Sequence, residues 1–321
     1  RTPVQIAYAA LLDQNRASGA VPAIYDTLDL QSAATIQATF EGLAPRTEQM
    51  RSSLGVAATD TMARLYRDRI AQLTPGALRG TLAYIGRPVQ TAAALTTMQA
   101  AATRNDSGDS TTTVREGRLP DTMSGFLAGG YIDGSSLPMA TAVPSGGRDK
   151  FDGFFLAAGV ETEVGEHAVV GASLSYTDLR ANSAFGGQSA TAQLYQGSLY
   201  GKLERTGYYL DGLFSAGLLR TNTVRGATIV GNTSTLRGRD GSLAVAGEVG
   251  LGKMFGGAVQ IGPRFALRGS YIAFSRLAET GGVAALAIDR DRFATVQGRA
   301  GLVLKGSGRV RPFGSITYVY G

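Results

Sequence analysis

Apolar and polar residues alternate over a long stretch of this chain at Val259–Phe274. Its odd positions include Val259 and Leu267, whereas its even positions include Arg264 and Arg268. Successive side chains of a β-strand point to opposite faces, so the pattern predicts a strand with one apolar and one polar face. The alternation continues for about sixteen residues, whereas strands of globular proteins usually have ~5–6. A strand of this length is sufficient to cross a bilayer, for which ~9–11 tilted residues are needed.

The same period of two recurs along the chain from Met123 onward, where we predict about ten strands in all. Besides Val259–Phe274, the predicted strands are Met123–Asp133, Phe151–Val164, Ala168–Leu179, Thr191–Arg205, Tyr208–Arg225, Ser242–Phe255, Val283–Ile288, Phe293–Lys305 and Arg309–Tyr320. One face of these strands carries Leu, Val, Tyr and Phe, and the opposite face is mostly Gly, Ala, Ser and Thr. Small polar residues on the inner face predict a barrel with an open lumen that can hold water or a helix.

The connections between these strands alternate in length. Gly165-Glu166 and Arg205-Thr206 are tight turns, and longer polar stretches are predicted at Asp133–Lys150, Arg180–Ala190 and Gly226–Gly241. Short turns at one end and long loops at the other are typical of outer-membrane barrels, with the short turns in the periplasm. The pattern therefore favours a membrane barrel over a soluble sandwich.

Residues 1–104 have a helical period instead. The predicted helices are Val4–Arg16, Tyr25–Leu30, Ala33–Leu43 with Ser32 as N-cap, a long helix from about Arg51 to Leu73, and Pro88–Arg104. The strongest part is Thr59–Leu73, where Asp60–Arg64 and Arg64–Asp68 are i,i+4 pairs of opposite charge. Leu82–Ile85 is predicted as a short strand. The polar segment 105–118 is predicted as a linker before the strands.

The composition of the chain argues against several classes of protein function. No run approaches the ~18 uncharged apolar residues of a transmembrane helix. The chain has no cysteine, which excludes disulfide and thiol chemistry, and its net charge of +6 is spread without a basic block, which argues against nucleic-acid binding. His167 is the single histidine and follows a tight turn, so a surface position is expected. No nucleotide-binding or serine-nucleophile motif occurs, so we expect neither an enzyme nor a cofactor.

Several segments resemble the C-terminal translocator β-domain of classical autotransporters, the type V secretion proteins of Gram-negative bacteria. They are Ala63–Leu73 (ARLYRDRIAQL), Met123–Gly134 (MSGFLAGGYIDG), Phe151–Thr177, Leu194–Leu203 and Gly308–Gly321 (GRVRPFGSITYVYG). The resemblance implies an all-β transmembrane barrel, antiparallel and up-and-down, preceded by an α-helical segment with a pore helix. The family has twelve strands and ends in a terminal aromatic residue, so the last two strands are expected to be missing here.

The resemblance divides the chain into a helical linker and pore-helix segment, 1–118, and an outer-membrane barrel, 119–321. It leaves open whether Thr59–Leu73 or Pro88–Arg104 fills the lumen. Some family members cleave themselves at an Asn of the pore helix. No Asn lies between Arg51 and Arg104, so that activity is not expected here.

The predicted lumen-facing and pore-helix charges form two sets. The polar faces of the strands carry Arg264, Arg268, Arg299, Arg311, Glu248, Glu161 and Asp211, and the predicted pore helix carries Asp60, Arg64, Arg67, Asp68 and Arg69. The strand residues are either ordinary lumen residues in contact with water, or they contact a helix or a translocating chain. In the second case Asp60 and Asp68 would meet the strand arginines, and the helix arginines would meet the strand acids.

The resemblance implies that the domain enables secretion and surface anchoring of an N-terminal passenger. Its implied partners are that passenger, the β-barrel assembly machinery, periplasmic chaperones and outer-membrane lipid or lipopolysaccharide. The implied location is the outer membrane of a Gram-negative bacterium, with the passenger at the cell surface. The alternatives are a general outer-membrane porin, and a surface-exposed adhesin or hydrolase domain of the passenger type.

Overall fold

The computed structural model describes residues 2–17, 22–93, 111–115, 119–136, 149–184, 187–306 and 313–320. Its four helices are α1 (Pro3–Ala17), α2 (Pro22–Asp29), α3 (Ala33–Gly42) and α4 (Arg46–Gln72). As predicted, Ser32 caps α3, and its hydroxyl accepts a hydrogen bond from the Thr35 backbone N–H at 3.2 Å. In the described part of the chain, no helix combines the length and the apolar character needed to cross a membrane.

The rest of the described chain is mostly β-strand. The strands are β1 (Thr81–Ala93), β2 (Thr111–Arg115), β3 (Met123–Ser136), β4 (Asp149–Val164), β5 (Ala168–Asn182), β6 (Gln188–Arg205), β7 (Tyr208–Ile229), β8 (Asn232–Lys253), β9 (Phe255–Gly256), β10 (Val259–Phe274), β11 (Leu277–Ala278), β12 (Ala287–Ile288), β13 (Asp291–Gly306) and β14 (Phe313–Tyr320). Twelve strands form one sheet in the order β14-β13-β10-β8-β7-β6-β5-β4-β3-β1-β2, with β9 beside β10. The order is that of an up-and-down meander from β3 to β14.

The alternation that predicted β10 is visible in its burial. The even positions of this strand are buried or half-buried, whereas Val259, Leu267 and Tyr271 on the odd positions are exposed. The exposed fraction is 61% for Leu267 and 4% for Arg268, although the two residues are adjacent. The sheet therefore has the predicted apolar outer face. Its inner face carries the predicted charged residues, but also large apolar side chains such as Phe126 and Leu219, which the sequence pattern did not predict.

Three predictions of secondary structure are wrong. Gly226–Gly241 is not a loop, because β7 and β8 are paired from Tyr208↔Lys253 to Ile229↔Asn232 and turn at Val230-Gly231. Positive φ angles of 44° at Val230 and 84° at Gly231 make this a two-residue hairpin turn. Pro88–Ala93 belongs to strand β1 and not to a helix, and residues 94–104 lie outside the described residues.

The third wrong prediction is the strand Val283–Ile288. Only Ala287–Ile288 is extended, and it pairs with β11 outside the main sheet. Two strands that precede residue 118, β1 and β2, belong to the main sheet, whereas Val283–Ile288 does not. β1, which contains the predicted strand Leu82–Ile85, pairs parallel with β3 and antiparallel with β2. The division of the chain at residue 118 stays a prediction.

We name the two ends of the sheet after their connections. The short-turn end contains the turns at 165–167 and 206–207, and the long-hairpin end contains the β7–β8 turn at 230–231. β7 and β8 have 22 residues each, more than any other strand of the sheet, so they extend beyond their neighbours at the long-hairpin end. His167 lies exposed in a turn of the short-turn end, as predicted.

Gly262 in β10 is required by the close approach of the end of β8. A Cβ at this position would lie 1.8 Å from the backbone oxygen of Lys253. We expect Gly262→Ala to lower the free energy of unfolding by roughly 1–3 kcal/mol, because backbone must shift to admit the methyl group. Urea unfolding in lipid vesicles measures this. Gly212→Ala is the matched control, since its nearest neighbour would be 4.0 Å away, and equal losses in both variants would refute the steric explanation.

Candidate functional site

Helix α4 lies against the inner face of the sheet, with its N-terminus at the long-hairpin end. Its 27 residues correspond to a length of about 40 Å at the usual helical rise. Buried residues occur at successive positions around the helix, including Met62, Ala63, Leu65 and Tyr66. A helix buried on every side must be surrounded, so the sheet curves around α4.

Arg264 links two strand acids on the inner face near the short-turn end. Its guanidinium donates hydrogen bonds to Asp211 on β7, at 2.5 and 3.0 Å, and to Glu248 on β8 at 2.9 Å. All three side chains are nearly fully buried. Two carboxylates that share one arginine form a charge network in which each acid has a cationic partner.

Two arginines of α4 bind acids on opposite sides of the curved sheet. Arg67 binds Glu248 on β8 through two hydrogen bonds of 2.9 Å. Arg69 binds Glu161 on β4 in the same two-pronged way, at 2.8 and 2.9 Å. Side chains two residues apart on a helix point about 200° apart, so this pair of contacts requires sheet on both sides of α4.

The Glu161 carboxylate on the inner face accepts hydrogen bonds from three different side chains. Besides the two bonds from Arg69, it accepts hydrogen bonds from the Ser124 hydroxyl at 2.6 Å and the Tyr200 hydroxyl at 2.9 Å. Its side chain has no exposed area. The group therefore ties together β3, β4, β6 and α4 at one point.

Asp60 of α4 is the acid that meets the strand arginines. It forms ion pairs with Arg268 on β10, with Arg299 on β13 at 3.8 Å, and with Arg64 on its own helix at 2.7 Å. Arg268 also donates to the backbone oxygen of Thr59 at 3.5 Å. Asp60 thus attaches the middle of α4 to β10 and β13.

Both ends of α4 are held by contacts that the sequence reasoning missed. At the N-terminal end Arg51 pairs with Asp240 on β8 at 2.8 Å, and its guanidinium lies 4.6 Å from the centre of the Phe274 ring. At the C-terminal end Lys202 on β6 and Lys305 on β13 both donate to the Leu73 backbone oxygen, at 3.2 and 3.4 Å. Cations at a helix C-terminus are favoured by the helix dipole.

Apolar and aromatic contacts fill the space between these charges. The Tyr66 ring stacks on Tyr200 with centres 5.7 Å apart and meets Phe126 edge-on at 6.5 Å. A Cβ at Gly55 would lie 3.0 Å from a methyl group of Leu219, so the helix approaches β7 closely. A cavity of about 20 Å³ beside Arg67 and its neighbours has room for about one water molecule.

Helices α1–α3 pack on the inward side of the long β7–β8 hairpin, where it extends beyond the neighbouring strands, and we call this unit the cap. Its apolar cluster joins Leu28, Phe40 and Leu43 with Ala227, Ile229 and Leu236 of the hairpin. Beneath it, the fully buried Arg225 donates to Glu279, to the Leu43 oxygen at 2.9 Å and to the Ala284 oxygen at 3.1 Å. Burial raises the pKa of Tyr8 to about 12, so its hydroxyl stays protonated and donates to the Leu43 oxygen at 2.5 Å.

The remaining predicted site residues have simpler positions. Asp68 is half-buried on α4, and Arg311 lies outside the described residues. The groups that the sequence reasoning missed are Arg51, Asp240, Ser124, Tyr200, Lys202, Arg225, Glu279 and Lys305. Asp240 was missed because the start of β8 was predicted as a loop, whereas Arg225 ended the predicted strand Tyr208–Arg225 and shares the inward face with Asp211.

The inner face contains no arrangement typical of metal binding. Within the described ranges, no group of three or more His, Cys, Asp or Glu side chains could hold a metal ion. Asp60, Glu161, Asp211, Asp240 and Glu248 are instead each bound by an arginine. What this arrangement can do is hold a helix in place by charge-assisted hydrogen bonds.

Comparisons with known proteins identify the family of this chain. No match to the sequence was found among curated proteins. Among solved structures, the chain is similar to the translocator domain of autotransporter NalP from Neisseria meningitidis, with 16% identity, a TM-score of 0.45, and coverage of 55% of this chain and 68% of that chain. A family model, the autotransporter β-domain, matches residues 142–321, which extend from just before β4 to beyond β14. The chain therefore belongs to the autotransporter β-domain family, and it is an outer-membrane translocator domain for the secretion of a passenger.

Proposed function

We propose that α4 plugs the lumen of the outer-membrane barrel whose wall is the curved sheet. The observation that supports this most is the pair of contacts from Arg67 to Glu248 and from Arg69 to Glu161. These acids lie on β8 and β4, on opposite sides of the helix. The small cavity beside Arg67 leaves little room for solute to pass at that level.

The ion pairs fix the axial position of α4 inside the sheet more than they add to the net stability of the fold. Burying two charges costs solvation that their attraction repays only when the geometry and hydrogen bonding are good. A helix shifted by one turn, about 5.4 Å, would leave Asp60, Arg67 and Arg69 without their partners in a buried place. The network therefore allows one axial position of α4 and makes others unfavourable.

The family implies a passenger linked to the N-terminal side of the domain, in the outer membrane of a Gram-negative bacterium. We infer that the long-hairpin end faces the cell surface, since short turns face the periplasm in outer-membrane barrels. The cap precedes α4 and lies at that same end. A passenger that continues from the cap would then emerge outside the cell, anchored through α4.

The chain supplies no chemistry in this proposal. The family serves secretion and transport, and folding of the passenger outside would provide the direction. We propose that the β-barrel assembly machinery inserts the sheet with help from periplasmic chaperones, that the passenger crosses before the inner network forms, and that the passenger remains anchored to the surface. Lipid or lipopolysaccharide would surround the outer face.

Single-channel conductance in planar bilayers tests the plug. We expect the intact protein to conduct weakly, and a variant that lacks α4, Arg46–Gln72, to conduct strongly, because the helix occupies the lumen. Deletion of the cap helices, Pro3–Gly42, is the matched control, since the cap packs on the end of the hairpin and its removal leaves α4 in the lumen. It should leave the conductance low. Equal conductance with and without α4 would refute the plug.

A further inference from the structure

The outer face of the β7–β8 hairpin has an unusual distribution of charge. The three acids of these two strands, Asp211, Asp240 and Glu248, all point inward and are buried. The outward positions of the same strands contain no acid, but they contain Arg220, Arg237 and Arg239. Unlike the inward arginines, these three form no ion pair with any residue that the structure describes.

The three arginines lie close together at the long-hairpin end. The register places Arg220 opposite Gly241 and Arg239 opposite Asn222, so Arg220 and Arg239 are diagonal neighbours about 7–8 Å apart. Arg237 is the next outward position along β8, roughly 7 Å from Arg239. Like charges on neighbouring strand positions repel each other, and an anion bound between them would remove that cost.

Two contacts orient the guanidinium groups. Arg239 donates through Nε to the side-chain oxygen of Asn222 at 3.0 Å, which directs its two terminal nitrogens away from the strand. Arg220 lies with its guanidinium carbon 5.7 Å from the centre of the Tyr195 ring. A planar guanidinium held at one side presents its remaining N–H groups to phosphate oxygens in a matching geometry.

The position of the cluster indicates the source of the phosphate. The outward residues immediately before it are apolar and exposed, with Leu218 on β7 and Leu243 on β8. Beside them the rings of Phe154, Tyr176 and Tyr195 contact one another in sequence around the sheet. Aromatic rings at the rim of an apolar band mark the level of lipid headgroups. The arginines begin where this band ends.

We propose that Arg220, Arg237 and Arg239 form a binding site for the phosphate groups of an anionic lipid in the outer leaflet. The proposal rests on the proposed function, because it requires the long-hairpin end to face the cell surface. The acyl chains would lie along the apolar band below the site. Asp178, the acid on the outward face of β5, accepts hydrogen bonds from Tyr176 and Gln193 and forms no ion pair with the three arginines.

Binding of lipid A with two phosphate groups to the intact protein, extracted from outer membranes in detergent, tests this site. We expect the triple variant R220Q/R237Q/R239Q to raise the Kd by about tenfold or more, because charge-assisted contacts to phosphate are stronger than neutral ones. The control variant is R205Q, an exposed arginine at the short-turn end, which should leave the Kd unchanged.

The same measurement with dephosphorylated lipid A and with inorganic phosphate identifies the ligand chemistry. Weak binding of both supports a site for lipid-borne phosphate. Inorganic phosphate that binds as tightly as lipid A, with the same dependence on the arginines, would overturn the lipid assignment. If the protein fractionates with outer membranes but the triple variant and the wild type have equal Kd values, the site itself is overturned and the proposed function is not. Absence of the intact protein from that fraction would overturn the proposed function and this site with it.

Discussion

Replacing Leu267 with arginine is expected to block assembly of the sheet in the membrane or to lower its free energy of unfolding by ~2–4 kcal/mol. Leu267 lies on the outward face near the middle of β10, and 61% of its surface is exposed. Its neighbours across the strands are Val249 and Gly298, which offer no acid to the new cation. An arginine at this depth would therefore place an unpaired charge in the lipid hydrocarbon. Urea unfolding in lipid vesicles and heat-modifiable gel mobility measure the effect.

The matched control for this variant is Val259→Arg, on the same strand and the same face. Val259 lies at the short-turn end of β10, where the side chain can reach the interface and the expected cost is only about 0–1 kcal/mol. Arg268→Leu tests the opposite face. It should permit folding, because Asp60 keeps Arg64 at 2.7 Å and Arg299 at 3.8 Å. If Leu267→Arg unfolds no more readily than Val259→Arg, the outward face of β10 does not contact lipid.

The strands were predictable wherever large apolar residues marked one face. β10 has Val259, Ile261, Phe265 and Leu267 on alternate positions, and its observed bounds are the predicted ones. The outer halves of β7 and β8 have no such alternation, since Gly226–Gly241 is mostly Gly, Thr, Ser and Arg, with Ile229 and Leu236 as isolated large apolar residues. These segments are strands because each pairs with the other along its length and because the cap covers one face. Neither cause can be read from a local pattern.

The candidate site was predictable as a set of charges, but its individual pairs were not. Alternation places Glu161, Asp211 and Glu248 on the polar face, and each was a possible partner for the helix arginines. Which acid meets which arginine depends on the rotation and depth of α4. Asp211 binds Arg264 of β10, two strands away in the sheet, and no arginine of the helix. The contacts from Lys202 and Lys305 to the Leu73 oxygen depend on the curvature of the whole sheet, for which the sequence has no local signal.

Glu161→Leu is expected to lower the free energy of unfolding by about 3–5 kcal/mol, because it leaves a buried arginine without its partner. The carboxylate accepts hydrogen bonds from Arg69, Ser124 and Tyr200 and has no exposed surface. Arg69 is itself 8% exposed, so water cannot fully replace the lost acid. Urea unfolding in lipid vesicles measures the loss, and Glu166→Leu, in the exposed turn after β4, is the control that should stay near the wild-type value.

The double variant Arg69→Leu/Glu161→Leu separates the ion pair from the packing around it. Removing both charges leaves no uncompensated ion, and replacing a buried pair by apolar residues is often neutral or stabilising. We therefore expect the double variant to be more stable than Glu161→Leu alone, with a coupling energy of about 0.5–3 kcal/mol between the two positions.

The conductance of the double variant should nevertheless rise, because α4 then lacks one of the two contacts that hold opposite sides of the helix. Additive losses of stability at Arg69 and Glu161 would show that the pair does not act as a unit, and that helix α4 is held by its apolar contacts instead.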